Sequence, residues 1–189
     1  MSDHLFTADL HLGHQLVAEL RGFNSIAEHD GFIMDRLRSS VRKHDVLWVL
    51  GDYSVSKHEY ARSLLRSVYC RKILIPGNHD PEHGMHRGAW NRQVDALDTF
   101  DAVLNYQRIR LGKINFLMSH LPYHGEGDHT PGNRYNEYRL PNEGMPLLCG
   151  HVHEAWRFKG SQFNVGVDVN DFKPVPSATV LDWWRGGAA

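Results

Sequence analysis

The stretch ILIPGNHD, residues 73–80, passes directly from an apolar run to a cluster of polar residues that bind metals. Its first three residues predict a buried β-strand, and the Pro-Gly pair that follows ends it. Asn78, His79 and Asp80 therefore come at the end of a strand, at the edge of a sheet where a cleft can form. This stretch predicts a functional site at a sheet edge.

Four other segments repeat this arrangement. Apolar runs that predict strands occupy Leu5–Ala8, Val46–Leu50, Ile114–Met118 and Leu147–Cys149. They lead into Asp9-Leu10-His11, Gly51-Asp52, Ser119-His120 and Gly150-His151-Val152-His153. One such segment is a weak indication, but five strand ends that each carry metal-ligand residues are a strong one.

The composition limits the partners of the chain. Its 189 residues suit a single domain that buries about 70% of the surface of the unfolded chain. We expect the domain to cover residues 1–185 and a disordered tail to follow at 186–189. A formal net charge of −1 argues against tight non-specific binding of nucleic acid. No apolar stretch is long enough to span a bilayer, so we expect no membrane association, and the sequence does not give the oligomeric state.

Cys70 and Cys149 do not form a disulfide framework. Each lies beside a predicted strand and is expected to be a small buried residue. Cys149 would share a face with His151 and His153 in an extended segment, so a ligand role is its alternative. The first strand starts almost at once, leaving no room for a targeting peptide, and we expect a cytoplasmic location.

Helical patterns alternate with strands in the first half of the chain. Helices are predicted at Gln15–Leu20, from a capping box at Ser25–Glu28 to about Lys43, and at Glu59–Ser67. The second half is predicted to be rich in strands, at Ala102–Leu111, Lys113–Met118, Leu147–His151, Ala155–Lys159, Phe163–Val167 and Ala178–Trp183, with a hairpin turn at Gly112-Lys113. The segment Tyr123–Glu143, which lies between the predicted strands Lys113–Met118 and Leu147–His151, lacks periodicity, and we expect it to overhang the site.

The spacing of the polar residues suits a site for two metal ions. Asp9 and His11 are two residues apart, as are His151 and His153, and in extended segments each pair projects to one side. Imidazole and carboxylate groups suit Mn, Fe, Co, Ni or Zn, and we favour Mn for activity. Asn78 adds an oxygen ligand without charge, and no thiolate is needed.

Counting charges distinguishes a catalytic site from a structural one. Two divalent ions bring four positive charges, and Asp9 and Asp52 return two, which leaves about +2 to attract a phosphate. Asp52 is the natural bridge between ions about 3.5–4 Å apart, and the ions would supply a hydroxide near neutral pH. A structural site would more often be neutral and closed.

His79 directly follows Asn78, so its ring is expected beside the ions. A free imidazole there can protonate the departing alkoxide or hold a phosphoryl oxygen. Asp80 would orient that ring and keep it protonated. The alternative is that His79 and Asp80 only form a turn closed by their own hydrogen bonds.

The order Asp-x-His, Gly-Asp, Gly-Asn-His-Asp, His and Gly-His-x-His resembles the calcineurin-like metallophosphoesterases, from Asp9 to His153 and on through the strand at Asn164–Asp168. The resemblance implies an α/β fold, an αββα sandwich of two mixed sheets flanked by helices. It assigns the first ion to Asp9, His11, Asp52 and His153, and the second to Asp52, Asn78, His120 and His151. It makes His79 the proton donor.

One departure from this family bears on the substrate. The phosphoprotein phosphatases extend the second motif with arginines that grip a monoester, whereas residues 51–57 read GDYSVSK. The compact form resembles small phosphodiesterases of bacteria and phages, with a small phosphoester or a nucleotide, including cyclic nucleotides, as substrate. A phosphomonoesterase or nucleotide pyrophosphatase is the alternative, and a non-catalytic scaffold of the same fold is a third hypothesis.

Substrate contacts are harder to assign. His14 either faces the cleft or hydrogen-bonds its own loop, and we favour the second. Arg134 and its neighbours His124, His129 and Arg139 lie in the long loop, where an arginine suits phosphate binding. His14 and Arg134 remain the two candidates for substrate contact. Trp48 is expected in the core, and Trp183 and Trp184 are expected to seal a sheet.

Overall fold

A computed structural model describes residues 3–125 and 134–187. The strands are β1 (His4–Thr7), β2 (Val46–Val49), β3 (Arg71–Leu74), β4 (Ala102–Val103), β5 (Gln107–Leu111), β6 (Ile114–Met118), β7 (Leu147–Cys149), β8 (Phe158–Lys159), β9 (Gln162–Asn164) and β10 (Val175–Pro176). The helices are α1 (Gln15–Leu20), α2 (Ile26–Ser40), α3 (His58–Leu65), α4 (Ala89–Ala96) and α5 (Ser177–Arg185).

The strands form two five-stranded mixed sheets. The first has the order β10-β1-β2-β3-β4, and only β10 is antiparallel to its neighbour. The second has the order β5-β6-β7-β9-β8, with a parallel centre between two antiparallel edges. The predicted hairpin between β5 and β6 is confirmed, because Leu111 pairs with Ile114.

Two apolar cores hold the layers together. The core between the sheets joins Phe6 and Trp48 of the first sheet to Phe116 and Phe163 of the second, so the predicted core position of Trp48 is confirmed. The other core packs α2 and α3 on the outer face of the first sheet. The predicted sandwich of two mixed sheets flanked by helices is therefore confirmed.

Some predicted strands are wrong. Ala178–Trp183 lies in α5, where Val180 and Trp184 recur at helical spacing and pack in the core between the sheets, and Pro176 directly precedes the helix. The tryptophans Trp183 and Trp184 do pack in that core, but from a helix. The predicted strand Ala102–Leu111 divides into β4 and β5, which belong to different sheets.

Other differences concern boundaries. Helix α4 is not predicted, and α2 ends at Ser40 rather than near Lys43. The capping box is only partly formed: the Ser25 hydroxyl accepts from the amide of Glu28, but the Glu28 carboxylate accepts from the amide of Asn24. Among the described residues, none of the helices combines the length and apolar character needed to cross a bilayer.

Candidate metal centre

The predicted ligands meet where the two sheets adjoin. Asp9, Asp52 and Asn78 follow the carboxyl ends of β1, β2 and β3 in the first sheet. The histidines His120, His151 and His153 follow β6 and β7 in the second. A parallel bridge between Ala8 and Gly166 joins the sheets beside the site. Parallel strands thus deliver residues that are far apart in sequence to one edge.

The ligand pairs do not adopt the extended backbone that we predicted. Asp9 and His11 have φ of 58° and 48°, and His151 and His153 have φ of 74° and 44°, so all four lie in the left-handed region. The strands before them end at Thr7 and Cys149, and the turns are held by hydrogen bonds such as Asp9 N–H to Gly51 O, 3.0 Å. Strained backbone of this kind clusters at functional sites.

The side chains nevertheless alternate as expected. Leu10 and Val152, the middle residues of the two pairs, are fully buried in the protein. Their neighbours on both sides carry the predicted ligand groups, and the fifth left-handed ligand, Asp52, has a φ of 53°. In both turns, the middle residue therefore faces the core and its two neighbours carry the ligand groups, as they would in an extended strand.

One group of donors consists of Asp9, His11 and His153, whose ligand atoms lie within 4.8 Å of one another. The Nε2 atoms of His11 and His153 face each other at 3.3 Å, and their rings are stacked with centroids 4.9 Å apart. The Asp9 carboxylate also accepts the His151 amide at 3.0 Å, which fixes its direction.

A second group consists of Asp9, Asp52 and His120, again within 4.8 Å. The Nε2 atom of His120 lies 3.4 Å from Asp52 Oδ2 and 3.1 Å from Asn78 Oδ1. The His151 ring is next to that of His120, with centroids 5.4 Å apart. Asp9 belongs to both groups, and Asn78 and His151 adjoin His120, so all seven predicted ligands lie in one cluster.

The donor set fits divalent ions. The Nδ1 atom of His120 donates to the carbonyl of Leu50 at 2.8 Å, which directs the lone pair of Nε2 towards Asn78 and Asp52. His11 Nδ1 is buried and has no hydrogen-bond partner in the described part of the chain. Imidazole, carboxylate and amide donors that face one another in this way are the ligands that borderline and hard cations bind.

Neighbouring carboxylates raise the pKa of two histidines of the cluster. Burial lowers the pKa of His120, but the charge of Asp52 and their hydrogen bond outweigh it and raise the pKa to about 9. Burial likewise opposes the protonation of His153, but the hydrogen bond to Asp168 and the charge of Asp9 raise its pKa to about 9. Burial raises the pKa of Asp9. Ion binding must displace the protons of both histidines.

Two glycines make room for the carboxylates. A Cβ at Gly77 would lie 2.1 Å from Asp52 Oδ1, and a Cβ at Gly150 would lie 2.5 Å from the Cβ of Ala8 and 2.8 Å from Asp9 Oδ2. Neither glycine has a positive φ. Close approach of a ligand carboxylate is what requires them, because any side chain would displace it.

His79 stands at the mouth of the site. It is exposed, and its ring lies 5.9 Å from the ring of His11. Its backbone amide donates to Asp52 Oδ1 at 2.9 Å, which ties its position to that carboxylate. A solvent-facing imidazole beside the donor cluster is placed to reach a bound phosphoester.

Asp80 does not orient the His79 ring, contrary to our prediction. Its carboxylate is fully buried and accepts the amides of Asp52 at 2.7 Å, Gly77 at 2.8 Å and Tyr53 at 3.1 Å. The chain turns at Asp80 so that its side chain points back under the loop after β2. Asp80 therefore positions Asp52 rather than the His79 ring.

Sequence reasoning missed the residues behind the first donor group. Arg21 forms a two-point ion pair with Asp168, at 2.7 and 2.8 Å, and donates to the carbonyl of Asp9 at 2.7 Å. Asp168 Oδ2 in turn lies 3.3 Å from Nδ1 of His153. Asn164 donates to the carbonyl of His153 at 2.8 Å. The only signal for Asp168 and Asn164 was that the family resemblance extends through them, and Arg21 had none.

The candidates for substrate contact lie in different surroundings. His14 caps α1, since its Nδ1 accepts the Val17 amide at 3.2 Å, and its ring also lines the cleft. Arg134 lies over the Tyr135 ring, 5.2 Å from its centroid, and Tyr135 is 6.0 Å from the His151 ring. The long loop thus borders the His151 side, as far as it is described. Arg139 donates to the carbonyls of Pro122 and Arg134, whereas His129 lies outside the described residues.

The predicted core position of Cys149 agrees with the structure. Cys149 is fully buried, and its thiol is 3.7 Å from the carbonyl oxygen of Phe163. Burial raises the pKa of that thiol well above its usual value. A neutral thiol turned towards a carbonyl is a core group rather than a ligand.

A cleft of about 520 Å³ opens beside the first donor group. His11, His79 and His153 form part of its wall. A cluster of donors for divalent cations, with an exposed imidazole at the mouth of an open cleft, is typical of metal-dependent phosphoester hydrolases.

The profile of the calcineurin-like phosphoesterases matches residues 4–155, so the chain belongs to this family. Two curated relatives are the Gene 66 proteins of mycobacteriophages. The one from Mycobacterium phage L5 is 34% identical over 183 residues, covering 89% of this chain and 87% of the relative. The one from Mycobacterium phage D29 is 36% identical over 188 residues, covering 93% of each.

A solved structure shares the fold. The crystal structure of a protein of unknown function from Aquifex aeolicus superposes with a TM-score of 0.72, covering 96% of this chain and 99% of the other. The two sequences are 22% identical, so this likeness concerns the fold alone.

Proposed function

We propose that the protein is a phosphodiesterase that depends on two divalent cations. The observation that carries the proposal is the convergence of seven donor residues with His79 at an open cleft. Bound ions would lower the pKa of a shared water and offset the charge on the phosphoryl oxygens. Asp52, whose carboxylate lies in the second donor group beside Asp9, is proposed to hold both ions.

His79 is proposed as the general acid. Its ring is exposed beside His11, so it can approach the ester oxygen that departs while the buried groups cannot. A proton from His79 would then accompany the breaking of the bond between phosphorus and that oxygen.

In the cleft wall, as far as the structure describes it, no arginine is free to grip a monoester, which supports a diester as the substrate. Arg21 is the arginine of the cleft wall, and its donors are engaged by Asp168, by the carbonyls of Asp9 and Leu10, and by His29 at 3.0 Å. A guanidinium has five N–H donors, so none remains for the extra charge of a monoester dianion.

We propose Mn²⁺ as the activating ion, because oxygen and imidazole donors without thiolates suit it. We also propose a cytoplasmic location, for which the two free thiols are the support.

The first test compares bis-nitrophenyl phosphate with nitrophenyl phosphate in the presence of Mn²⁺. A diesterase should show the higher kcat/KM on the diester. A higher value on the monoester would favour a phosphomonoesterase or nucleotide pyrophosphatase. Inactivity of metal-loaded protein on every ester tested would favour the scaffold hypothesis.

The second test is His79→Ala. We expect kcat on a diester with an alkyl leaving group to fall by about 10²–10⁴-fold, the usual range for a general acid. A nitrophenyl leaving group needs no proton, so its kcat should fall much less. Both ions should still bind, and the exposed His44→Ala variant is the control. Equal losses on the two esters would remove the acid role.

A further inference from the structure

The cleft beside the donor cluster is lined by two kinds of side chain. His11, His79 and His153 are among its polar residues, and Val17, Leu20, Val55 and Phe172 are its apolar ones. Its volume of about 520 Å³ is that of a small-molecule site rather than a bare phosphate pocket. A ligand that fills it meets apolar side chains as well as the donor cluster.

The side chain of Leu20 is largely exposed to solvent. It is 69% exposed at the end of α1, where Ala18 is the residue that packs into the protein. Leu16 of the same helix is 58% exposed but does not line the cleft. The two leucines therefore differ in position relative to the cleft and little in exposure.

Phe172 is held in the wall by an unusual turn. Asp171 and Phe172 are consecutive non-glycine residues with φ of 53° and 56°. The amide of Phe172 donates to the carbonyl of Val167 at 3.0 Å, which fixes the turn. A bulky residue in the left-handed region is strained, and such strain is found where a side chain is aimed at a ligand.

The remaining contacts of the Phe172 ring leave part of it facing the cleft. Phe32 and Phe23 meet it edge-on, with centroids 5.5 and 6.0 Å away, and the guanidinium carbon of Arg21 lies 5.7 Å from its centroid. The ring is half-buried, and its free part is a wall of the cleft. A flat apolar group can pack there in the offset or edge-on geometry of aromatic pairs.

We infer that the substrate is a diester whose departing alcohol carries an aromatic ring, which binds against Phe172 and Leu20. The inference rests on the proposed phosphodiesterase function. His79, the proposed acid, lines the same cleft, so the departing group and not the retained one lies there. The exposed carboxylate of Glu154 in this cleft disfavours a second phosphate and so supports an uncharged group.

The reaction is a hydrolysis and needs no further reactant. Water supplies the oxygen that bonds to phosphorus, the bond from phosphorus to the ring-bearing alcohol breaks, and the departing oxygen receives a proton from His79. The ring takes no part in bond changes. Its role is to place the departing oxygen next to His79.

The test compares phenylpropyl methyl phosphate with propyl methyl phosphate, which differ by one ring far from the reacting bond. The full chain with Mn²⁺ should favour the phenylpropyl ester by about tenfold or more in kcat/KM. Leu20→Ser and Phe172→Ala should reduce this ratio about three- to tenfold, while Leu16→Ser should leave it unchanged. Should Phe172→Ala fail to fold, the exposed Leu20 still provides the test.

The outcomes separate the inference from the function on which it rests. Hydrolysis of both esters at equal kcat/KM, or equal effects of Leu20→Ser and Leu16→Ser, would overturn the inference and leave a phosphodiesterase. Failure to hydrolyse either ester would overturn both. A thymidine methyl phosphate diester and its abasic counterpart then identify the source of the ring. A preference for thymidine larger than that for phenylpropyl indicates a nucleoside, and a smaller one indicates another aromatic alcohol.

Discussion

The two ends of the metal centre are supported by different parts of the molecule. At the first end, His153 is backed by Asp168, and Asp168 is clamped by Arg21 of the turn after α1. At the second end, His120 is backed by the carbonyl of Leu50. One end thus depends on charged side chains from distant segments, and the other on the main chain.

The side-chain support continues behind the first end. Arg21 contacts His29 at 3.0 Å, and the His29 ring contacts Asp30 at 2.7 Å. Asp30 then accepts the amide of Gly13 at 2.9 Å, which returns to the loop that carries His11. Buried charges of this kind are costly unless every partner is present. The first end can therefore be weakened by single substitutions far from the ions.

At the second end, the side chain of Asp80 can be tested by substitution in the same way. Replacing it in Asp80→Ala removes the acceptor of three buried amides and should lower the free energy of unfolding by about 3–5 kcal/mol. Urea unfolding in the presence of a chelator measures this. The exposed Asp95→Ala is the control, with an expected change within about 0.5 kcal/mol. A loss below about 1 kcal/mol for Asp80→Ala would show that the loop holds its shape without this carboxylate.

A substitution in the support of the first end should lower the affinity for ions rather than the stability of the fold. Asp168→Asn keeps the shape but weakens the bond that orients His153, so one of two Mn²⁺ ions should bind about 10–100-fold more weakly. Calorimetric titration with Mn²⁺ resolves the two affinities. Asp171→Asn, an exposed change three residues away, should leave both unchanged. Equal weakening of both ions would mean that the two ends are not supported independently.

This difference also explains what the sequence could predict. The second end is built from local segments, so the apolar runs and their polar ends locate Asp52, Asn78 and His120. The wrong role for Asp80 arose because the direction of its side chain depends on a turn that residue spacing does not determine.

The support of the first end could not be read from the sequence, because it is tertiary. Arg21 and Asp168 are 147 residues apart, and no local pattern pairs them. The fold itself was implied by the family resemblance of the motifs at its strand ends, whereas α5 was taken for a strand because its apolar residues are dense enough to fit both periods. Packing of Val180 and Trp184 in the core between the sheets decides between them.

The smallest expected effect is a pH dependence that belongs to the first end. In the metal-free protein, the pKa of His153 is raised to about 9 from an ordinary value of 6.5. A raised pKa stabilises the folded state fully below pH 6.5, and the contribution is lost as the pH rises through about 9. Asp168→Asn should reduce this pH-dependent loss of folding stability by about 1–2 kcal/mol. The effect is limited because Asp9 still attracts the His153 ring and part of that ring is exposed.

Unfolding in urea with a chelator, at several pH values between 6.5 and 9, checks this. The decline should become shallower in Asp168→Asn but should not vanish, because His120 at the second end also has a pKa of about 9. Since the main chain and Asp52 hold His120, its share should be unaffected by any change at Asp168. Identical slopes for the two proteins would mean that Asp168 does not hold the His153 proton, and the asymmetry between the ends would then lose its electrostatic basis.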